Sequence, residues 1–170
     1  MPSVDNHEAI SHRKIQPQHH QRLACVYIRQ STPEQVRHHQ ESRRNQERMA
    51  ERASQLGWPA HQTQIIREDL GKSGRSSQQR SGFRNLLSDI SLGQVGIVFC
   101  YEVSRLARNS RDWHQLLEAA ALFDTLIADY DGIYDLHHFN DRLLLGLKGT
   151  MSEAELHLLK LRMMAGANDN

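Results

Sequence analysis

Leu23-Ala24-Cys25-Val26-Tyr27-Ile28-Arg29-Gln30-Ser31 runs from six apolar residues into a polar end. A short apolar segment of this kind predicts a buried β-strand. The polar residues that follow would project from the strand's carboxyl end, where open α/β sheets place their ligand sites. Arg29 and Ser31 are two residues apart and share a direction in extended backbone. A hydroxyl beside a guanidinium suits attack on a phosphate, since it joins a nucleophile to a planar cation matched to phosphate oxygens. Arg-x-Ser at a strand end is common, so its meaning depends on the rest of the chain.

Outward from that strand, helices and strands alternate. Residues 34–56 have helical density with Val36, Met49, Ala53 and Leu56 as sparse apolar positions, stopped by Gly57-Trp58-Pro59. Residues 64–68 read as a short second strand and 69–81 as a loop rich in Gly, Ser, Gln and Arg. Helical spacing returns through Phe83, Leu86, Leu87 and Ile90, closed by Gly93. Residues 95–101 are the clearest central strand; 110–123 are helical with a stripe of Trp113, Leu116, Leu117, Ala120 and Ala121; 125–130 form a fourth strand. From Asp141 the pattern is one long helix, apolar through Leu143, Leu144, Leu147, Met151, Leu158, Leu159 and Met163. Such alternation predicts parallel crossovers and a three-layer α/β/α domain with a mostly parallel sheet of four to five strands. The last helix, long and widely apolar, is expected to pack on a partner subunit as well as on its own domain.

The 170 residues suffice for one domain with a real core. With 38% hydrophobic residues and a mean hydropathy of −0.66, no stretch approaches a membrane span. Residues 1–21 lack the apolar centre of a secretory signal and are rich in His, Gln and Ser, which reads as a disordered lead-in. Cys25 and Cys100 lie in apolar runs, suggesting reduced buried thiols and a cytoplasmic protein. The net charge of +1 hides a division: residues 21–111 hold 15 Lys/Arg against 8 Asp/Glu, whereas 112–141 hold 7 Asp/Glu and no Lys/Arg. This division suits a molecule with one face turned to an anion, though solvated helix faces would produce it equally well.

Three loops are expected on the same sheet edge. The first carries Arg29, Ser31 and Gln35, the second Asp69, Ser73 and Arg80, the third Ser104, Arg105 and Arg108. Arg105 and Arg108 are three apart, on one side of a helical turn. One hydroxyl converging with four arginines is more informative than any single loop, because a phosphoryl transition state spreads negative charge over its equatorial oxygens.

These motifs resemble the catalytic domain of the serine site-specific recombinases, the resolvase/invertase group that includes large serine integrases and transposases. The resemblance rests on Tyr27-x-Arg29-x-Ser31 with Gln35; on Asp69, Ser73-Gly74 and Arg80; and on Ser104-Arg105-Leu106-Ala107-Arg108-Asn109. The segment 145–156 is similar to the start of the family's long dimerisation helix, and the likeness runs from about residue 23 to 162. It implies that Ser31 attacks a DNA phosphodiester to form a 5′-phosphoserine and a free 3′ hydroxyl, after which strands exchange and rejoin without a nucleotide cofactor. It implies that Arg29, Arg105 and Arg108 hold the scissile phosphate, that Arg80 and Gln35 assist, and that Asp69 and Ser73 shape the second loop. No metal or other cofactor, no membrane and no small-molecule substrate enters this scheme. Its partners are DNA and further copies of the chain, as a homodimer and, in an active synaptic complex, a tetramer. The dimer contacts are expected along Leu144, Leu147, Met151, Glu155, Leu158 and Arg162.

The chain departs from the family pattern in two places. Ser104 stands where many members have an acid, which leaves the proton-transfer group unassigned. The expected organisation is a lead-in (1–21), a catalytic domain (22–140) and a truncated dimerisation helix (141–165), without the DNA-reading region that normally follows. A non-catalytic DNA-associated or dimerisation fragment is therefore the alternative. Gly71-Lys72-Ser73 is not a phosphate-binding P-loop, because Ile66 holds the place of the required earlier glycine. The pairs His19-His20, His38-His39 and His137-His138 lack partners at metal-ligand spacing and are expected on the surface. Trp58 and Trp113 are expected in the core.

Overall fold

Strand β1 (Leu23–Gln30) sends alternate side chains to two separate cores: Ala24, Val26 and Ile28 to one, Cys25 and Tyr27 to the other. This period of two is why a run apolar at every position serves a strand covered on both faces. The computed structural model describes residues 13–30, 36–69, 81–101, 103, 106, 110–150 and 153–168, with backbone alone for 29, 30, 36–42, 68, 69, 81, 150, 153, 154, 156, 167 and 168.

Helix α1 (Pro17–His20) precedes β1. After β1 come α2 (Val36–Gln55), a 3-10 turn (Ala60–Gln62), β2 (Thr63–Asp69), α3 (Ser81–Ser91), β3 (Val95–Phe99) and α4 (Ser110–Leu122). The chain closes with β4 (Leu126–Ala128), β5 (Ile133–Tyr134), α5 (Phe139–Thr150) and α6 (Glu153–Asn168). The sheet order is β2-β1-β3-β4-β5, with the first four strands parallel and β5 antiparallel to β4. Met49 and Ala53 of α2 cover one face together with Trp58. Phe83, Leu86 and Ile90 of α3, Trp113, Leu116, Leu117 and Ala120 of α4, and Leu145 of α5 cover the other. The three-layer α/β/α architecture with a mostly parallel sheet is the one expected from the sequence.

The helix stops follow from backbone chemistry. Gly57 (φ 109°) and Gly93 (φ 72°) adopt the left-handed conformation that costs an L side chain dearly. Around Gly93, its N–H reaches the Ile90 carbonyl while that of Gln94 reaches Asp89, so these two carbonyls in the last turn of α3 are satisfied. The corresponding position after α4 is Asp124 (φ 55°), and the Thr125 N–H closes back on the Ala120 carbonyl.

Residues 13–21 correct the expectation of a lead-in disordered throughout. His19 is 1% exposed; its Nδ1 accepts from the Gln16 N–H at 2.9 Å, and its Nε2 lies 3.2 Å from Asp124 Oδ1. Lys14 Nζ donates to the Ile133 carbonyl at 2.8 Å and pairs with Asp141 at 2.9 Å. The segment docks largely by hydrogen bonds, with Ile15 its one aliphatic contact to a core and the His20 ring against Trp58, so its composition concealed it. His19 is thereby a core residue, while His137 and His138 are exposed. Both tryptophans are buried, as expected. Helix α5 begins at Phe139, two residues ahead of the expected start, and residues 151 and 152, between α5 and α6, lie outside the described residues.

Candidate functional site

The carboxyl ends of β1, β2 and β3 meet at one edge of the sheet because all three run parallel. Arg29 is paired in register with Glu68, and Gln30 with Asp69, while Val26 of β1 lies level with Phe99 of β3. The first two connections from this edge, 31–35 and 70–80, start directly where β1 and β2 end, and the third follows Tyr101. Arg29 and Asp69 are therefore located by backbone at the next-to-last and last positions of adjacent strands. Ser31, Gln35, Ser73, Arg80, Ser104, Arg105 and Arg108 lie outside the described residues.

Two residues of the third connection are described, and both are buried. Val103 and Leu106 are 2% and 1% exposed, belong to the core that contains Trp113 and Leu145, and are tied by an N–H of Leu106 to the Val103 carbonyl. Two buried positions three apart are what one helical turn offers to a core.

Beside this edge, at the carboxyl end of β4, stands a buried polar cluster that the sequence reading did not single out. Asp129 is 2% exposed. Its Oδ1 accepts from the backbone N–H groups of Asp131 (2.9 Å) and Gly132 (3.1 Å) and from the Tyr134 hydroxyl (3.1 Å). Lys148 Nζ, reaching down from α5, donates to Asp129 Oδ2 (3.1 Å), Asp131 Oδ2 (2.9 Å) and Tyr134 OH (2.7 Å). The three ammonium hydrogens thus meet three acceptors. Burial would lower the Lys148 pKa, but the bonds to Asp131 and Tyr134 and the Asp129 charge outweigh it and raise it. Tyr134 is pushed up as well, chiefly by burial. The guanidinium of Arg52, on α2, donates to the Asp129 carbonyl. A signal was present: Asp129 directly follows the apolar run Leu126-Ile127-Ala128, and Lys148 sits among the leucines of α5.

Of the expected dimer residues, Leu144 packs against the domain's own core. Leu147 is half-buried, Glu155, Leu158 and Arg162 are exposed, and Met151 lies outside the described residues. At the opposite, amino edge, Asp124, Asp135 and His137 bring three donor atoms within 4.8 Å. Those atoms are engaged with one another and with His19. Burial pulls the Asp124 pKa upward, but hydrogen bonds from His19 and Gln18 carry it below its ordinary value. Among the described residues no helix is long and apolar enough to cross a membrane.

Residues 24–170 match the family described as Resolvase, N terminal domain. The chain is 54% identical over 153 residues to the uncharacterized protein y4bA/y4pH of Sinorhizobium fredii, covering 90% of this chain and 22% of that relative. It therefore spans about a fifth of the length of the curated relative it matches. Two solved structures share the fold. The N-terminal catalytic domain of TP901-1 integrase has a TM-score of 0.52 at 19% identity, covering 81% of this chain and 98% of that one. A resolvase family site-specific recombinase from Streptococcus pneumoniae has a TM-score of 0.53 at 24% identity, covering 87% and 97%.

Proposed function

The chain belongs to the resolvase N-terminal domain family, and from that premise we propose that it is the catalytic domain of a site-specific DNA recombinase whose nucleophile is Ser31. The Ser31 hydroxyl oxygen forms a bond to the phosphorus of a DNA phosphodiester as the bond to the 3′ oxygen breaks. The serine proton is passed on, and the leaving 3′ oxygen ends as a hydroxyl. The 5′-phosphoserine conserves the energy of the broken linkage, so the reverse attack by a 3′ hydroxyl rejoins strands after exchange. Arg29, Arg105 and Arg108 bind the phosphate and stabilise charge that grows on its oxygens, with Arg80 and Gln35 in support. Asp69 and Ser73 shape the second loop. The guanidinium groups supply the positive charge in this scheme, and no cofactor takes part. DNA is the partner, with the chain acting as a cytoplasmic homodimer that pairs into a tetramer when two sites are joined.

The observation that carries this reading is the parallel register of β1, β2 and β3, which brings the origins of all three motif-bearing connections to one edge. The decisive experiment incubates the chain with supercoiled plasmid carrying the DNA that flanks its own gene, then looks for covalent protein–DNA adducts on denaturing gels. Adducts that vanish in Ser31→Ala are expected. Adducts that survive Ser31→Ala would overturn the nucleophile. A wild-type chain that forms none would favour a DNA-associated or dimerising unit that does not cleave, a reading to which Ser104 in place of the usual acid lends some weight.

A further inference from the structure

Helix α5 is linked to both ends of the third connection within five residues of its own length, directly on the exit side and through residues 129–131 on the entry side. On the entry side, Tyr101 stands at the carboxyl end of β3, its ring 5.5 Å from that of Tyr130 and its carbonyl accepting from the Tyr130 N–H at 3.4 Å. Tyr130 lies between Asp129 and Asp131, the two carboxylates that Lys148 holds. On the exit side, α4 starts at Ser110, and its buried Trp113 donates from Nε1 to the Leu145 carbonyl of α5 at 3.1 Å. The same indole presses against Gly149. Leu145, Lys148 and Gly149 therefore join the two anchors of residues 102–109 through one rigid turn of helix.

Burying an ammonium and a carboxylate is a poor way to gain stability, since apolar residues of similar volume often do as well or better. What three directed bonds do supply is a defined distance and angle between α5 and the end of β4, which apolar packing specifies less sharply. Resting on the recombinase reading above, we propose that Lys148 is a positioning residue for that reaction. Through Asp129, Asp131 and Tyr134 it sets the place of the β3 and β4 ends, and with Trp113 it fixes the two anchors, at Tyr101 and at the start of α4, from which the third connection leaves and to which it returns. Lys148 itself does not touch DNA in this scheme.

Two measurements test the proposal. Hydrogen–deuterium exchange on wild type, Lys148→Met and Lys148→Arg reads positioning directly. Exchange in peptides spanning 101–113 should rise at least tenfold in Lys148→Met while β1 peptides stay protected, and Lys148→Arg should restore most of the protection. Unchanged exchange, or a rise shared by the whole sheet, would overturn it. If Lys148→Met does not fold, Tyr134→Phe, which removes one acceptor and leaves the ion pair, is read the same way. Adduct formation then separates this inference from its premise. With DNA affinity held within twofold, Lys148→Met should form adducts at least tenfold more slowly than wild type. Wild-type adducts with an equally fast Lys148→Met would overturn the role of Lys148 alone, and no wild-type adducts would remove the recombinase premise and the role with it.

Discussion

A methyl group placed on Gly149 would stand 1.9 Å from Nε1 of Trp113, a separation no native contact tolerates. The indole cannot retreat, being 1% exposed and hydrogen-bonded to Leu145. Gly149→Ala is therefore expected to destabilise the fold by about 3 kcal/mol despite alanine's better helix propensity. Gly146, one turn earlier with open space around it, is the matched control: Gly146→Ala should stabilise by roughly 0.5–1 kcal/mol. Urea unfolding of the two variants checks both signs.

Burial, with a smaller contribution from the charge of Asp89, pushes the Cys25 thiol up to about 12, against 9.0 for the ordinary group. The folded protein keeps the proton that the unfolded chain releases, so this contribution is complete below pH 9 and is lost as pH rises towards 12. Stability should decline by up to roughly 1.4 kcal/mol per pH unit from this one thiol. Thermal unfolding between pH 8 and 10 should show the decline in wild type and a shallower one in Cys25→Val. Identical slopes would refute it.

Leu158, Leu161, Met163 and Met164 are exposed on α6, at 54%, 49%, 65% and 65%. If this helix is the proposed dimer contact, sedimentation at high micromolar concentration should show a dimer. Leu158→Glu together with Leu161→Glu should shift it to monomer without changing the thermal midpoint of the domain by more than a few degrees. A wild-type chain that sediments as a clean monomer would count against the contact.

DNA binding by the chain is expected to be weak, insensitive to sequence and governed by phosphate neutralisation. Affinity for a random duplex should fall at least tenfold between 50 and 200 mM salt. A tenfold preference for any one sequence in competition assays would contradict this.

The layers and strand directions were legible in the sequence because apolar spacing reports them. Cys25 and Val26 sit side by side in an unbroken apolar run and go to opposite cores, and Gly57 and Gly93 mark helix ends that the backbone conformation bears out. Strand ends were less legible. The apolar spacing carries the third strand on to Tyr101, whereas its ladder ends at Phe99, since exposed aromatic residues look the same as buried ones in a linear reading. The Lys148–Asp129 cluster was not legible, because partners 19 residues apart show no periodicity and charged residues are ordinarily assigned to the surface. The His19 contacts escaped for the same reason, with 105 residues between imidazole and carboxylate.

Gly96 faces the backbone of His19 so closely that an added Cβ would lie 2.1 Å from its carbonyl oxygen. The family likeness starts at residue 24, yet the wall of the molecule starts earlier. A polypeptide begun at the family boundary would leave a trench along β3, strip Asp124 of its histidine and release Ile133 and Asp141 from Lys14. The folded unit accordingly includes the stretch from Lys14 to Arg22, and any shortened version meant for biochemistry should keep it.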